Sequence, residues 1–229
     1  MDSHSTSLAA VVRSDLIGQD GVTKFSPNRR FATVYSEGSP ADMIFFIDSG
    51  LVKTYKRGSD SKEIILQIVG TGEIFGEQCL GSESSRTMAA EVLQEGIIYV
   101  IPRDIFLRVC EKRPDVWRDF SGVLTVRKRQ LEKKIELLCL HDVEYRILYY
   151  MAELARMFGA KVGGSDYSIP LSQGELASLI GATRETTSTT LNTLARRGLI
   201  KLGRRQLIVP SVDGVLAAAD QRTRTAKVS

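Results

Sequence analysis

The chain has 229 residues, 43 % hydrophobic and 25 % charged, with a net charge of +4, a balance that suits a water-soluble protein large enough for two small cores. No apolar run approaches about 18 residues, and the opening MDSHSTSLAAVVRSDL lacks the basic start and apolar middle of a secretory signal, so a membrane protein is not expected and the reading is cytoplasmic. Three widely spaced cysteines (Cys79, Cys110, Cys139) and two histidines (His4, His141) supply no disulfide framework, metal cluster or nucleophile–base pair, which argues against an enzyme.

After a loose start, Phe31 to Ile101 runs as short apolar segments broken by turns. MIFFI precedes Asp48-Ser49-Gly50, LVKTY precedes Lys56-Arg57-Gly58-Ser59-Asp60, EIILQIV precedes Gly70-Thr71-Gly72, and GIIYVI precedes Pro102. That spacing predicts a compact all-β roll or barrel. The stretch FGEQCLGSESSRT, residues 75 to 87, departs from the rhythm. Gly76 allows close backbone approach, and the amides after it would form an anion-binding concavity. Glu77 can accept from a ribose hydroxyl, Arg86 can pair with a phosphate, and Thr87 adds a hydroxyl, so the set would suit a sugar phosphate. A glycine turn with a surface Glu–Arg pair fits the same residues.

Arg103 to Cys110 reads as a short helix, and Pro114 to Leu140 as one long one of roughly 40 Å. Trp117, Leu124, Leu131 and Leu138 recur every seven residues, with Phe120 and Ile135 between them, forming a seam that needs a partner. Asp142 to Phe158 predicts an amphipathic helix with Val143, Ile147, Tyr150, Met151, Leu154 and Met157 on its buried face, stopped at Gly159. Tyr167 to Leu171 is a short strand.

The segment LSQGELASLIGATRETTSTTLNTLARRGLIKLGRRQLIV follows. Ser172 and Glu175 form a capping box opening a helix that buries Leu176, Leu179 and Ile180. Gly181 turns the chain, and Thr183 caps a second helix to Arg197, with Leu191 and Leu194 inward and Arg184, Glu185, Thr187, Ser188 and Thr189 outward. LIKL-GRR-QLIV would fold back as a wing with Gly203 at its tip. Residues 1–141 balance 19 basic against 19 acidic side chains, whereas residues 142–229 hold 12 against 8. Lys201 and Arg204 belong to that excess, the footprint of a nucleic-acid surface.

EGSPADMIFFIDSGLVK and FGEQCLGSESSRTMAAEV resemble the cyclic-nucleotide-binding roll of the CRP/FNR transcription regulators, and the helix-turn-helix segment with its R-E-T start resembles that family's DNA reader. The resemblance implies an α+β protein with a jelly-roll-like β-roll (1–112), a dimerisation helix (113–141) and a winged helix-turn-helix (142–229). It implies that Gly76, Glu77, Arg86 and Thr87 hold the cyclic phosphate and ribose, helped by amides near Gln78 and Cys79, with Leu66 and Gln67 lining the nucleotide. Counting back from Asp142, the base-contacting hydroxyls of cAMP-responsive members are replaced by Leu131 and Glu132. On DNA, Arg184 and Glu185 would reach base edges, Gln173, Thr183 and Thr186 would touch phosphates, and Ser188 and Thr189 would face the groove, Thr189 standing where some members carry a basic residue. The expected partners are double-stranded DNA with a palindromic operator, a second copy of the chain and RNA polymerase. The expected effector is cAMP, then cGMP, with no prosthetic group: residues 1 to 40 hold no cysteine for an iron–sulfur cluster, and haem would need an axial histidine in the roll, whereas His4 lies in the loose start and His141 at the hinge, both read as hinge or surface residues. A constitutive regulator, or one answering to cyclic di-GMP, is the alternative.

Overall fold

The computed structural model describes residues 8–59 and 62–226; His4, the rest of residues 1–7 and Asp60 of the second predicted turn lie outside the described residues. Two compact units divide inside the long helix, between Leu131 and Glu132.

In the first unit, β1 (Thr23–Phe25), β2 (Thr33–Tyr35), β3 (Met43–Arg57), β4 (Glu63–Val69), β5 (Ile74–Phe75) and β6 (Ala89–Pro102) form one sheet. Its order is β1-β6-β3-β4, with β2 also on β6 and β5 on β3. The long antiparallel pair β3/β6 extends from Met43 opposite Pro102 to Tyr55 opposite Ala89. Alternation sends Phe45, Ile47 and Val52 into one cluster with Tyr35, Val69, Phe75 and Ile98. Ile44 and Phe46 enter another, which contains Ile74, Ile101 and the helices. MIFFI is continuously apolar because both faces of this strand are covered.

Register shifts between Ile47 and Val52 curl the sheet. A β-carbon at Gly96 would lie 2.0 Å from the Ser49 carbonyl oxygen, and Gly50 takes a φ of 99°. The two strands approach this closely because neither carries a side chain there.

The second face of the sheet is covered by a π-helical turn (Val12–Leu16), α1 (Arg103–Lys112) and the start of α2 (Pro114–Leu140). The stretch expected to be loose is packed from Leu8 onward, with Leu8, Val11, Val12 and Leu16 buried. Its apolar residues span too few turns for a period to show. Arg113 bridges Asp15 at 2.9 Å and Asp115 at 2.7 Å, tying this segment to the start of α2. Along α2, Val116, Phe120 and Val123 point into the core. Phe120 therefore leaves the predicted outer seam and Leu138 is half-buried, so Trp117, Leu124, Leu131 and Ile135 are the predicted seam residues that stay exposed.

The second unit contains α3 (Val143–Phe158), α4 (Gln173–Ile180), α5 (Arg184–Arg196) and α6 (Val212–Ala226), with a sheet of β7 (Ala160–Lys161), β8 (Tyr167–Ile169), β10 (Gln206–Val209) and β9 (Lys201–Gly203) in that order. Ile147, Met151, Leu154, Leu176, Leu179, Ile180, Leu191 and Leu194 are buried as expected; Met157 is not, at 46 % exposed. Helix α6 escaped the sequence reading because its buried side is small, Val215, Ala218 and Ala219. It packs along α3. Among the described residues no helix is long and apolar enough to cross a membrane.

Phe46 is fully buried. Phe46→Ala is expected to destabilise the first unit by about 3–5 kcal/mol, read as a lower urea midpoint in the fluorescence of Trp117, the single tryptophan.

Candidate functional site

The residues predicted around the glycine turn do come together. Gly76 has φ 82° and opens a short 3-10 helix, Glu77–Leu80. A β-carbon at Gly76 would sit 2.8 Å from the Phe45 ring and 3.1 Å from Arg86 Nη1, so glycine is needed both for the turn and for the cation packed against it.

Arg86 is only 2 % exposed. Its Nη1 donates to the Gly76 carbonyl at 2.8 Å and its Nη2 to that of Met43. The guanidinium lies 4.5 Å from the Tyr35 ring centroid and 5.5 Å from that of Phe45. Phe75 stacks on Phe45 at 5.0 Å and completes the aromatic wall. Among the described residues no carboxylate lies within ion-pair distance of Arg86, and its Nε has no hydrogen-bond partner. A buried cation held only by carbonyl dipoles and ring faces is suited to an anion. Burial pushes the neighbouring Tyr35 hydroxyl up to about 12, against the opposing pull of Arg86, so it stays a neutral donor.

The other cassette residues are partnered. A Glu77 carboxylate oxygen is 2.7 Å from Arg127 Nη1, and Arg127 Nη2 also reaches the Ile74 carbonyl. The Thr87 amide donates to Gln78 Oε1 at 3.4 Å, and the Gln78 amide donates to the Thr87 hydroxyl. Cys79 is fully buried, and burial pushes its thiol up to about 11. Leu66 and Gln67 are half-buried on β4, while Leu131 and Glu132 are exposed on α2. Sequence reasoning missed Arg127, Tyr35 and Phe45. For Arg127 the available signal was its position one turn before Leu131; the two aromatics looked like ordinary strand residues.

In the second unit the capping box forms as predicted, with the Ser172 amide donating to Glu175 at 2.6 Å and the Glu175 amide to the Ser172 hydroxyl at 3.2 Å. Thr183 caps α5 by accepting from the Thr186 amide at 3.1 Å. Thr187, expected to face out, is fully buried, its hydroxyl donating to the Thr183 carbonyl at 2.8 Å. Arg184, Glu185, Thr186 and Thr189 are exposed, whereas Ser188 and Gln173 are half-buried. Arg184 lies across Gly174, where a β-carbon would come within 3.3 Å of its Nε. Lys201 is paired with Asp166 at 2.7 Å. The wing tip falls on exposed Arg204 and Arg205, the latter with φ 58°, one step beyond the predicted Gly203. Two cations cap the far end of α4: Lys134 Nζ donates to the Leu179 carbonyl at 2.6 Å, and Arg146 Nη1 to that of Ile180 at 2.7 Å. His141, read as a hinge or surface residue, stacks on Tyr145 at 3.9 Å.

Comparison with known proteins agrees with both halves. A family model for the cyclic nucleotide-binding domain matches residues 28–113, and one for the Crp-like helix-turn-helix domain matches residues 145–217. A CRP-like cAMP-activated global transcriptional regulator of Mycobacterium tuberculosis is 33 % identical over 178 residues, 77 % of this chain and 80 % of the relative. The cyclic AMP receptor protein of Thermus thermophilus is 26 % identical, covering 74 % and 76 %. Among solved structures, FixK2 from Bradyrhizobium japonicum aligns with a TM-score of 0.74 at 24 % identity, covering 86 % of this chain and 96 % of that one.

Lys134 is 5 % exposed, and burial pushes its ammonium down to about 8. Because the unfolded chain holds that proton to about pH 10.4, it binds more protons than the folded one above pH 8, and stability from this group rises with pH. Between about pH 8 and 9.5 the wild type is expected to gain about 1–2 kcal/mol relative to Lys134→Met, in parallel urea titrations.

Proposed function

The chain belongs to the CRP/FNR family of DNA-binding transcription regulators, and we propose that it is a member governed by a cyclic nucleotide. One observation carries the effector reading: Arg86 is a buried cation with no carboxylate partner among the described residues, held beside the glycine turn of the cyclic nucleotide-binding domain. The phosphate would pair with Arg86, the turn amides near Gln78 and Cys79 would assist, and Glu77 and Thr87 would meet the ribose, with Leu66 and Gln67 beside the nucleotide. Glu77 must then exchange Arg127 for a ribose hydroxyl, which links ligand binding to a side chain of the long helix. cAMP is the first choice, because relatives in Mycobacterium tuberculosis and Thermus thermophilus are described as cAMP-activated and as a cyclic AMP receptor. cGMP is second, because Glu132 offers an acceptor beside Leu131 where hydroxyls would favour adenine.

In this reading residues 1–112 sense, 113–141 dimerise and 142–229 bind DNA. The exposed seam Trp117, Leu124, Leu131 and Ile135 packs against a second copy. The dimer presents two α5 helices to half-sites of a palindromic operator about 34 Å apart. Arg184 and Glu185 read base edges, while Gln173, Thr183, Thr186, Ser188, Thr189, Lys201 and Arg204 lie along the same DNA-facing surface. The protein works in the cytoplasm alongside RNA polymerase, without a prosthetic group or catalytic role.

A constitutive regulator is the second reading. It is favoured by the way Glu77 and Arg86 already find partners within the chain. Calorimetry with cAMP and with cGMP separates the two: heat from either nucleotide supports the sensor, and no heat from both, with DNA binding intact, leaves the constitutive regulator. Arg86→Ala is expected to weaken nucleotide binding at least tenfold, about 1.4 kcal/mol or more. Arg184→Ala is expected to relax discrimination at one base pair per half-site by about 1–3 kcal/mol, seen when operators are selected from a random library. An equal loss across all sequences would make Arg184 a phosphate contact.

A further inference from the structure

Asp142, Glu144, Arg197 and Arg222 form one ion network around the start of α3. Asp142 is the N-cap of α3, and one of its carboxylate oxygens accepts from the Tyr145 amide at 2.9 Å. Its other oxygen accepts twice from Arg222 of α6, from Nε at 2.8 Å and from Nη2 at 2.7 Å. Glu144 stands between two arginines: Oε1 is 2.6 Å from Arg197 Nη1, and Oε2 is 3.7 Å from Arg222 Nη1. Each oxygen of the two carboxylates thus has its own partner. Arg197 is the C-cap of α5, and α6 packs along α3 with Val215, Ala218 and Ala219 buried.

We infer that Arg222 is a positioning residue for DNA binding: from α6 it fixes the first turn of α3 through Asp142 and the end of α5 through Glu144 and Arg197, so that the recognition helix meets DNA already oriented. Isolated exposed ion pairs contribute little. Here Arg222 engages Asp142 through two N–H groups, the Glu144 side chain is only 18 % exposed, and each acid serves two partners at once, which holds its rotamer. Partial burial opposes ionisation of Asp142, yet the Tyr145 amide and Arg222 outweigh it and keep its carboxyl below the ordinary value. Helix α5 is capped at its start by Thr183 and tied at its end by Arg197. Holding both ends before DNA arrives leaves less orientational freedom to lose on binding. The inference rests on the reading of α5 as the helix that enters the groove.

The full chain is tested by mobility shift, over a range of salt concentrations, on a duplex that it selects from a random library. Arg222→Gln is expected to weaken binding about fivefold, the upper end of what a surface ion pair supplies, with the log–log salt slope unchanged. Asp142→Asn keeps a capping side chain and removes the charge, so it should weaken binding as well. The double variant should then lose no more than the worse single one. Unchanged affinity in Arg222→Gln, losses that add in the double variant, or a salt slope lower by about one, the mark of a direct phosphate contact, would each overturn the inference. If circular dichroism shows that Arg222→Gln does not fold, Asp142→Asn carries the test alone, and unchanged affinity there is the overturning result. Arg184→Ala, run alongside, separates the two readings. Normal base discrimination in that variant removes α5 as the reader and this inference with it, whereas lost discrimination beside unaltered Arg222→Gln binding removes this inference alone.

Discussion

One helix has to satisfy two cores at once, and much of the molecule follows from that. Over its first turns α2 buries Val116, Phe120 and Val123 against the roll, and near its end it buries Leu137 and Lys134 in the second unit. With 3.6 residues per turn, a helix that turns one stripe inward at each end keeps another outside along its length. That stripe is Trp117, Leu124, Leu131 and Ile135, the last 58 % exposed. Large apolar side chains in a continuous row on a helix are the usual material of a helix–helix interface. The same helix carries Arg127 to Glu77 and Lys134 to the end of α4.

Arg86 sets the chemistry of the roll. Burying a guanidinium without a carboxylate is costly, and here the cost is offset by two carbonyls and two ring faces. Such partners orient the cation without neutralising it. An anion at the cassette would meet a positive charge already in place, with little reorganisation to undergo.

The reader is built differently. Recognition helix α5 is rich in threonine, a modest helix former, and its hydroxyls repeatedly return hydrogen bonds to carbonyls one turn back, as Thr187, Thr190 and Thr193 do. Its exposed face is therefore mostly neutral. Several cations counted in the sequence are spoken for: Lys201 by Asp166 and Arg197 by Glu144. Arg184 and Arg204 are exposed, with no ion-pair partner among the described residues, so the charge available for DNA is smaller and more localised than composition suggests.

The strands, the long helix, the capping box at Ser172 and the helix-turn-helix were legible in the sequence because each rests on local periodicity or on a side chain bonding its own backbone a few residues away. The cassette was legible as a set of residue types around Gly76. The packed N-terminal stretch and α6 were not, because short runs of Ala and Val acquire meaning only against a partner surface. Nor could periodicity divide α2 into its two stripes: Phe120 and Trp117 are equally apolar, and it is the shape of the roll that buries one and leaves the other half in water. The sequence by itself determined the elements and the kind of chemistry they carry. Only the tertiary structure decided that Arg86 faces Tyr35 and Phe45, that Arg127 holds Glu77, and that Lys201 is engaged, since those contacts join residues far apart in the chain whose encounter no local pattern encodes.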